Sequence, residues 1–311
     1  MAAISQRDAF WERLYDLACE DRDIVVIAAD MGAPAMDRIR RDLPGQYLNA
    51  GISEQNGLLV AAGLALEGKR PFFYAISNFA TLRVIELIRV ELSVMDIPVT
   101  IVGVGAGYSY EDSGSTHHSL EDVAVMRAFP NLTIHSASDS VLAARFADIS
   151  CAQEHANYVR LERKTLPDLH KPDVDISKGF AVLRDGPDGY LLSTGIMTHR
   201  AWEVADELAA KGKKLGVIDL FTLPPDEKAL VSALSGCPCL ITLEEHYLPG
   251  GIGSYLLELL NTHGVSVPVK RVGLTFAQGY ENSYVYGGRD RIHAHAGLDV
   301  PGILDQIKNV L

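Results

Sequence analysis

Short apolar runs alternate with amphipathic stretches along nearly the whole of this 311-residue chain, and that alternation restricts the fold more than any other feature. IVVIAA (24–29) reads as a buried strand, preceded by a helix with Phe10, Leu14, Leu17 and Ala18 on one face. QNGLLVAAGLALEG (55–68) reads as a helix rich in small residues that ends near Gly68, and PFFYAI (71–76) as a strand. Leu82, Ile85, Ile88, Leu92 and Met95 recur at helical intervals, which predicts a helix crossing back to the strand VTIVGV (99–104). Residues 105–119 are rich in Gly and Ser without a period and read as a loop. A helix over 120–129, strand LTIHS (132–136), a helix over 139–154 and strand YVRLE (158–162) follow. Residues 163–178 are polar, carry Pro167 and Pro172, and read as a connection. A second alternating series has strands near 190–194, 215–220, 239–244 and 268–273 and helices near 198–211, 225–234, 252–261 and 300–310.

Strand–helix alternation of this kind implies mainly parallel sheets covered by helices on both faces. The expected fold class is therefore α/β with two domains, 1–165 and 183–311, joined by a linker at 166–182. The net charge of −12 argues against a nucleic-acid partner, which needs a basic face. It leaves room for a small anionic substrate, which needs only a few placed cations. No apolar run approaches the roughly 18–20 residues of a membrane span. MAAISQRDAFWERL lacks a hydrophobic signal core, so the cytoplasm is the expected compartment. Cys19, Cys151, Cys237 and Cys239 complete no zinc spacing, and no metal ligands are assigned within the chain.

In open parallel sheets, ligands bind beyond the carboxyl ends of the strands. The polar residues just after each expected strand form a coherent set. Asp30 follows the first, and Asn78 and Phe79 follow 71–76. Asp112, Ser113, Thr116, His117 and His118 lie in the loop after 99–104, and Arg163 follows 158–162. Glu54 opens the helix after YLNAG (47–51). Spacing alone leaves bland alternatives open. Ser53 and Glu54 can simply cap a helix, Phe79 can be rim packing, the histidines loop decoration, and Arg7 and Arg163 solvated surface charge.

GISEQN (51–56) and YEDSGSTHHSLED (110–122) together resemble the pyrimidine-binding half of transketolase, a thiamine diphosphate enzyme; the second stretch is similar to the family's GEDGPTHQ-x-x-E loop, with Thr116, His117 and Glu121 matching directly. The resemblance implies that Glu54 hydrogen-bonds the cofactor's aminopyrimidine and directs the proton traffic that makes its thiazolium carbon nucleophilic. It implies that Phe79 stacks on that ring, with Tyr74 a second candidate, and that Asp30 lies near the cofactor. His117 would face the substrate as acid, base or donor, and His118 stands where the family usually has Gln. Ser113 takes the place of the family's sugar-binding Asp, Asp112 is one residue away, and Gly105 replaces a second His. Arg7, at the family's separation from Asp30, and Arg163, which begins RKTLP, match contacts to a substrate phosphate. Arg suits such an anion because its fork donates two hydrogen bonds. The terminus that the resemblance implies is an anion, phosphate or sulfonate, and Pro34, standing where the family has a nearby Ser, departs from the family's phosphate contact.

The second half resembles the transketolase C-terminal domain, which mainly supports dimerisation. Its GGIG (250–253) is a Gly-rich turn before a helix. No GDG with a distant Asn is present, the family's grip on Mg²⁺ and diphosphate. The implication is a split transketolase: this chain supplies half of the site, and an N-terminal subunit holds the diphosphate and Mg²⁺ (or Ca²⁺). Self-association into a heterotetramer is the natural closed form. The implied reaction moves a two-carbon ketol unit from a ketose, as a sugar or sugar phosphate, to an aldose. The β subunit of a 2-oxo acid dehydrogenase, deoxyxylulose phosphate synthase and a non-catalytic scaffold subunit are the rival readings.

Overall fold

The computed structural model describes residues 4–282 and 284–310, so the outer domain limits at residues 1 and 311 lie outside the described residues. The chain forms two compact units. The first runs to Ala106 and takes in Val125–Pro172. The second consists of Gly107–Ala124 together with the chain from Asp173 onward. The loop that the sequence reading put in the first domain is thus built into the second unit.

In the first unit the strands are β1 (Ile24–Ala28), β2 (Tyr47–Asn49), β3 (Arg70–Ile76), β4 (Thr100–Val104), β5 (Leu132–Ser136) and β6 (Ala156–Leu161). They pair in parallel in the order β5-β6-β4-β3-β1-β2. The central β4 and β6 are buried at every position, as expected for strands covered on both faces. Period-two alternation sorts the aromatics of β3. Phe72 and Tyr74 pack on Phe10 and Trp11 of helix α1 (Gln6–Glu20), at ring separations of 6.2 and 4.9 Å. Phe73 faces the other way, toward helix α3 (Glu54–Leu66), which follows the short α2 (Met36–Asp42). A Cβ at Gly57 would lie 2.9 Å from the Phe73 ring, so the small-residue face of α3 is what lets it lie close on the sheet.

The chain goes from β1 outward to β2, then returns to the other side of β1 as β3. The sheet therefore reverses direction between β1 and β3, the place where open α/β sheets leave a crevice at the strand ends.

The expected single helix over 82–95 is instead broken. Ser77–Thr81 is α-helical, Leu82–Val84 a 3₁₀ turn, Ile85–Leu87 a short α turn and Ile88–Val94 a π-helical stretch. β-branched Val84, Ile85, Ile88, Val90 and Val94 crowd a regular helix. Ile88 and Leu92 are buried, but Ile85 and Met95, expected on the same face, are exposed.

The second unit has β7 (Phe180–Arg184), β8 (Tyr190–Ser193), β9 (Gly216–Leu220), a two-residue β10 (Thr222–Leu223), β11 (Leu240–Tyr247) and β12 (Val269–Leu274). Its sheet order is β12-β11-β8-β9-β7, parallel except for β7, which runs antiparallel to β9. β7 overlaps the expected linker; as an edge strand it needs no continuous apolar run and left no strong signal. The helix Met197–Ala210 buries Ala201, Val204, Ala205 and Leu208 against this sheet, and Tyr108 and Leu120 join the same core. The helix Arg289–Ala296 was not expected from the sequence. Its buried positions are Arg289, Ile292, His293 and Ala296, a proper helical stripe in which two members are polar.

Candidate active site

Glu54 is the first residue of α3 and is 5% exposed. Ser53 occupies the N-cap position, but its hydroxyl makes no capping bond; it donates instead to the Ala50 carbonyl, at 2.5 Å. The capping alternative therefore loses half of its support. The Glu54 carboxylate is engaged by Arg83, whose guanidinium donates to Oε1 at 2.8 Å. The same guanidinium lies over the Phe79 ring, 3.9 Å from its centroid. Glu54, Phe79 and Arg83 thus converge from α3 and from the turns after β3. A flat, positively charged N–H donor rests on an aromatic face while bonding a buried carboxylate. These are the two contacts that an aminopyrimidine would make, so the residues present fit the cofactor that the resemblance implies. Arg83 escaped the sequence reading, although it sits one helical turn beyond Phe79 in SNFATLR, a spacing that puts both on one face.

Asp30 lies just beyond β1, after Ala29, at φ 50°, a left-handed conformation that Asp tolerates better than most residues. It is exposed and exchanges hydrogen bonds with Asn49 at the end of β2. Asn49 Nδ2 donates to the Asp30 carboxylate at 3.1 Å, and the Asp30 amide donates to Asn49 Oδ1 at 3.2 Å. Asn49 also accepts from the Gly51 amide at 2.9 Å, which links this pair to the turn leading into Glu54. Asn49 was a second residue missed by the sequence reading.

Tyr74 is not part of this group. It is fully buried, edge-on to Trp11, on the face of the sheet opposite α3. Strand alternation puts it there, and its ring belongs to the core.

Arg7 and Arg163 come from adjoining segments. Gln6 Oε1 accepts from the Glu162 amide at 2.9 Å, tying the start of α1 to the residue before Arg163. Arg7 is half-buried and pairs with Asp8, while Arg163 is exposed.

In the second unit, residues 107–119 form a loop closed by an antiparallel pair. The Gly107 amide donates to Ser119 O at 3.1 Å and the Ser119 amide to Gly107 O at 2.9 Å. Asp112 and Ser113 are exposed at its tip. His117 is half-buried, its Nδ1 is 2.9 Å from the Thr116 hydroxyl, and its ring lies against Tyr110 at 5.5 Å. His118 is buried, edge-on to Tyr108 at 4.8 Å. Burial holds its imidazole below the usual value, against the pull of the Glu245 carboxylate. Burial likewise raises the Glu121 carboxyl. Among the described residues, no group of three or more His, Cys, Asp or Glu is placed to hold a metal ion, and no helix is long and apolar enough to cross a membrane.

Residues 2–168 match the transketolase pyrimidine-binding domain, and residues 179–303 match the transketolase C-terminal domain. The chain belongs to the transketolase family. One subunit of the apulose-4-phosphate transketolase of Phocaeicola vulgatus is 33% identical over 304 residues, covering 96% of this chain and 95% of that protein. The 6-deoxy-6-sulfo-D-fructose transketolase subunit SqwH of Clostridium sp. (strain MSTE9) is 35% identical over 272 residues, 86% of this chain and 84% of that one. A solved split-gene transketolase, described as an inactive β4 tetramer, superimposes with a TM-score of 0.85 at 30% identity and covers 99% of this chain and 98% of its own. The chain therefore has the split form of its family: it is one subunit of a multi-subunit transferase that moves ketol groups. Both the dehydrogenase and the scaffold readings give way to it. Family membership implies dependence on thiamine diphosphate.

Proposed function

We propose that this chain supplies the pyrimidine-side half of a thiamine diphosphate site, completed by an N-terminal subunit that holds the diphosphate and Mg²⁺ (or Ca²⁺). As family domains the halves would be 1–165 and 183–311 around a connection at 166–182, with the 107–124 segment folded into the second compact unit and Phe180–Arg184 a strand of it, and the assembly would be a cytoplasmic heterotetramer. The observation that carries the reading is the convergence of buried Glu54, Phe79 and the Arg83 guanidinium, 2.8 Å from one and 3.9 Å from the centroid of the other. Thiamine diphosphate, when bound, supplies the carbanion that accepts and passes on the two-carbon unit.

This chain's residues do the rest. Glu54 would bond the aminopyrimidine nitrogen and hold a proton there. Phe79 would stack on the ring, contributing about 0.5–1.5 kcal/mol beyond burial. Arg83, 43% exposed at its side chain, would swing toward water to release both partners. Asp30, braced by Asn49, would line the cofactor's edge. His117 would exchange a proton with the sugar's hydroxyl or carbonyl oxygen, with His118, Asp112 and Ser113 shaping the pocket for its hydroxyls. Arg7 and Arg163 would bind an anionic terminus. The named substrates of two relatives, a sugar phosphate and a sulfosugar, support an anionic ketose and keep phosphate and sulfonate both open. Ile52, Leu59 and Leu66 stand exposed at seven-residue spacing before and along α3, an apolar stripe that a partner chain would cover.

Ketose cleavage with thiamine diphosphate and Mg²⁺ tests the reading, comparing this chain alone with this chain plus the adjacent gene product that carries a GDG motif. Activity confined to the mixture is expected. Activity of this chain alone would overturn the shared site.

A further inference from the structure

Glu245 lies inside β11, a strand buried at all but its last position. A carboxylate there is costly unless every oxygen is engaged. Arg289 Nε donates to Oε1 at 2.8 Å and Arg289 Nη2 donates to Oε2. His293 Nε2 bonds Oε1, and the Tyr108 backbone amide donates to Oε2 at 2.9 Å. Arg289, Glu245 and His293 are each no more than 4% exposed. Burial would raise the Glu245 carboxyl, but the charge and hydrogen bonds of Arg289, joined by His293, outweigh it and hold it well below the usual carboxylate range.

Well-packed apolar residues often replace a buried ion pair without loss of stability. Stability alone therefore gives little reason to keep this one. The contacts leaving the cluster supply another. Two of them run to the start of the 107–119 loop: Glu245 takes the Tyr108 amide, and the Arg289 amide donates to Glu111 at 2.8 Å. At Gly107, φ is 57° and an added Cβ would overlap the Glu245 carboxylate, so only glycine lets the backbone approach this closely. Tyr108 and Leu120, at the two ends of the loop, are buried in the second unit's core. The Tyr108 ring then contacts both His118, at 4.8 Å, and His293, at 6.5 Å.

We infer that Glu245 is a positioning residue for the His117–His118 loop, so that the C-terminal half of the chain sets the geometry of the substrate side of the active site in addition to any part in assembly. The catalytic consequence rests on the function proposed above; the clamp itself does not. Glu245 acts through Tyr108 and touches no reacting atom.

Two variants test it. Glu245→Met with Arg289→Met removes both charges together, keeps the volume and deletes the acceptor for the Tyr108 amide. Glu245→Gln keeps an acceptor oxygen. In the isolated chain, amide hydrogen exchange across 107–119 should rise about tenfold or more in the double variant, with β8 and β9 unchanged. In the assembly with the GDG-bearing subunit, kcat/KM for the ketose should fall about 100-fold, the scale of a misplaced catalytic group. Apparent affinity for thiamine diphosphate should move less than about threefold, and Glu245→Gln should recover part of the loss. A folded double variant with wild-type loop exchange and wild-type kcat/KM would overturn the inference. So would loss of fold in both variants, because the carboxylate would then support the whole unit and not the loop. An inactive wild-type mixture would sink the proposed function instead, and the exchange measurement would still decide the clamp.

Discussion

Each unit contains a Glu–Arg pair, and the two differ chiefly in their access to water. Arg83–Glu54 is 2.8 Å long with side-chain exposures of 43% and 6%. Arg289–Glu245 has 3% and 3%. A half-exposed arginine can turn its own charge to water when it leaves, so the cost of opening falls on the carboxylate alone. A buried one cannot, since either charge left alone has no solvent to turn to. The same two residue types therefore make an openable site in the first unit and a fixed clamp in the second. Burial of the arginine, more than the length of the ion pair, separates the two roles.

The largest expected effect falls on the openable pair. Glu54→Gln keeps size and loses the acid, so turnover of the reconstituted assembly should drop by roughly a thousandfold or more, in the upper part of the usual share of general acid–base catalysis, about 10²–10⁴-fold. Its denaturant midpoint should barely move. Steady-state kinetics beside urea unfolding would check both halves, and near-normal turnover would break the comparison. On the closed pair the order reverses. Arg289→Leu alone strands a buried carboxylate and should lower the stability of the chain by about 3–5 kcal/mol, measured by urea titration.

Acid should act on buried histidines before it reaches the Arg289–Glu245 pair. His135, on β5 against Phe146, is fully buried and accepts from Gln153 at 3.0 Å; burial pushes its imidazole from 6.5 down to about 4. The unfolded chain takes up that proton near pH 6.5 and the folded chain only near 4. The stabilisation is thus complete above about 6.5 and is lost progressively as pH falls toward 4, by about 2–4 kcal/mol in all. His118, also held low, acts in the same direction. Glu245, held low as a carboxylate, withdraws its stabilisation only as pH falls below the usual carboxylate range. Unfolding midpoints of wild type and His135→Gln between pH 7 and 5 should diverge in slope, and parallel slopes would refute the assignment. The smallest effect is expected at Arg83→Met, about 1–3 kcal/mol, because the buried Glu54 carboxylate loses this donor while no buried cation is disturbed. A loss comparable to that of Arg289→Leu would erase the distinction between the pairs.

The parallel strands were legible where covered strands are nearly continuous apolar runs, as in IVVIA and TIVGV. β7 was not, since FAVLR is an antiparallel edge with a half-exposed pattern and sits where polar residues suggested a linker. Arg289–Ala296 was hidden because its buried stripe contains Arg289 and His293, which read as surface until the Glu245 carboxylate that neutralises them is in view. The home of the 107–124 loop was equally invisible: its anchor is 137 residues away in sequence, and no local pattern encodes a partner at that distance. Motif resemblance singled out Glu54 and Phe79, which the first unit brings together around Arg83, and His117, which lies on the loop of the second. It also suggested Tyr74, which strand alternation turns into the core. Arg83 and Asn49 emerged only from the fold, because their roles depend on what the neighbouring strand ends present.

The central claim is that Glu54 directs proton movement on the cofactor. The most direct measurement is the rate at which the C2 hydrogen of thiamine diphosphate exchanges with deuterium in the reconstituted assembly, followed by proton NMR after rapid quench. The account predicts that wild-type assembly accelerates exchange strongly over free cofactor, and that Glu54→Gln returns it close to the free rate with the cofactor still bound. Exchange as fast with Glu54→Gln as with wild type would contradict it.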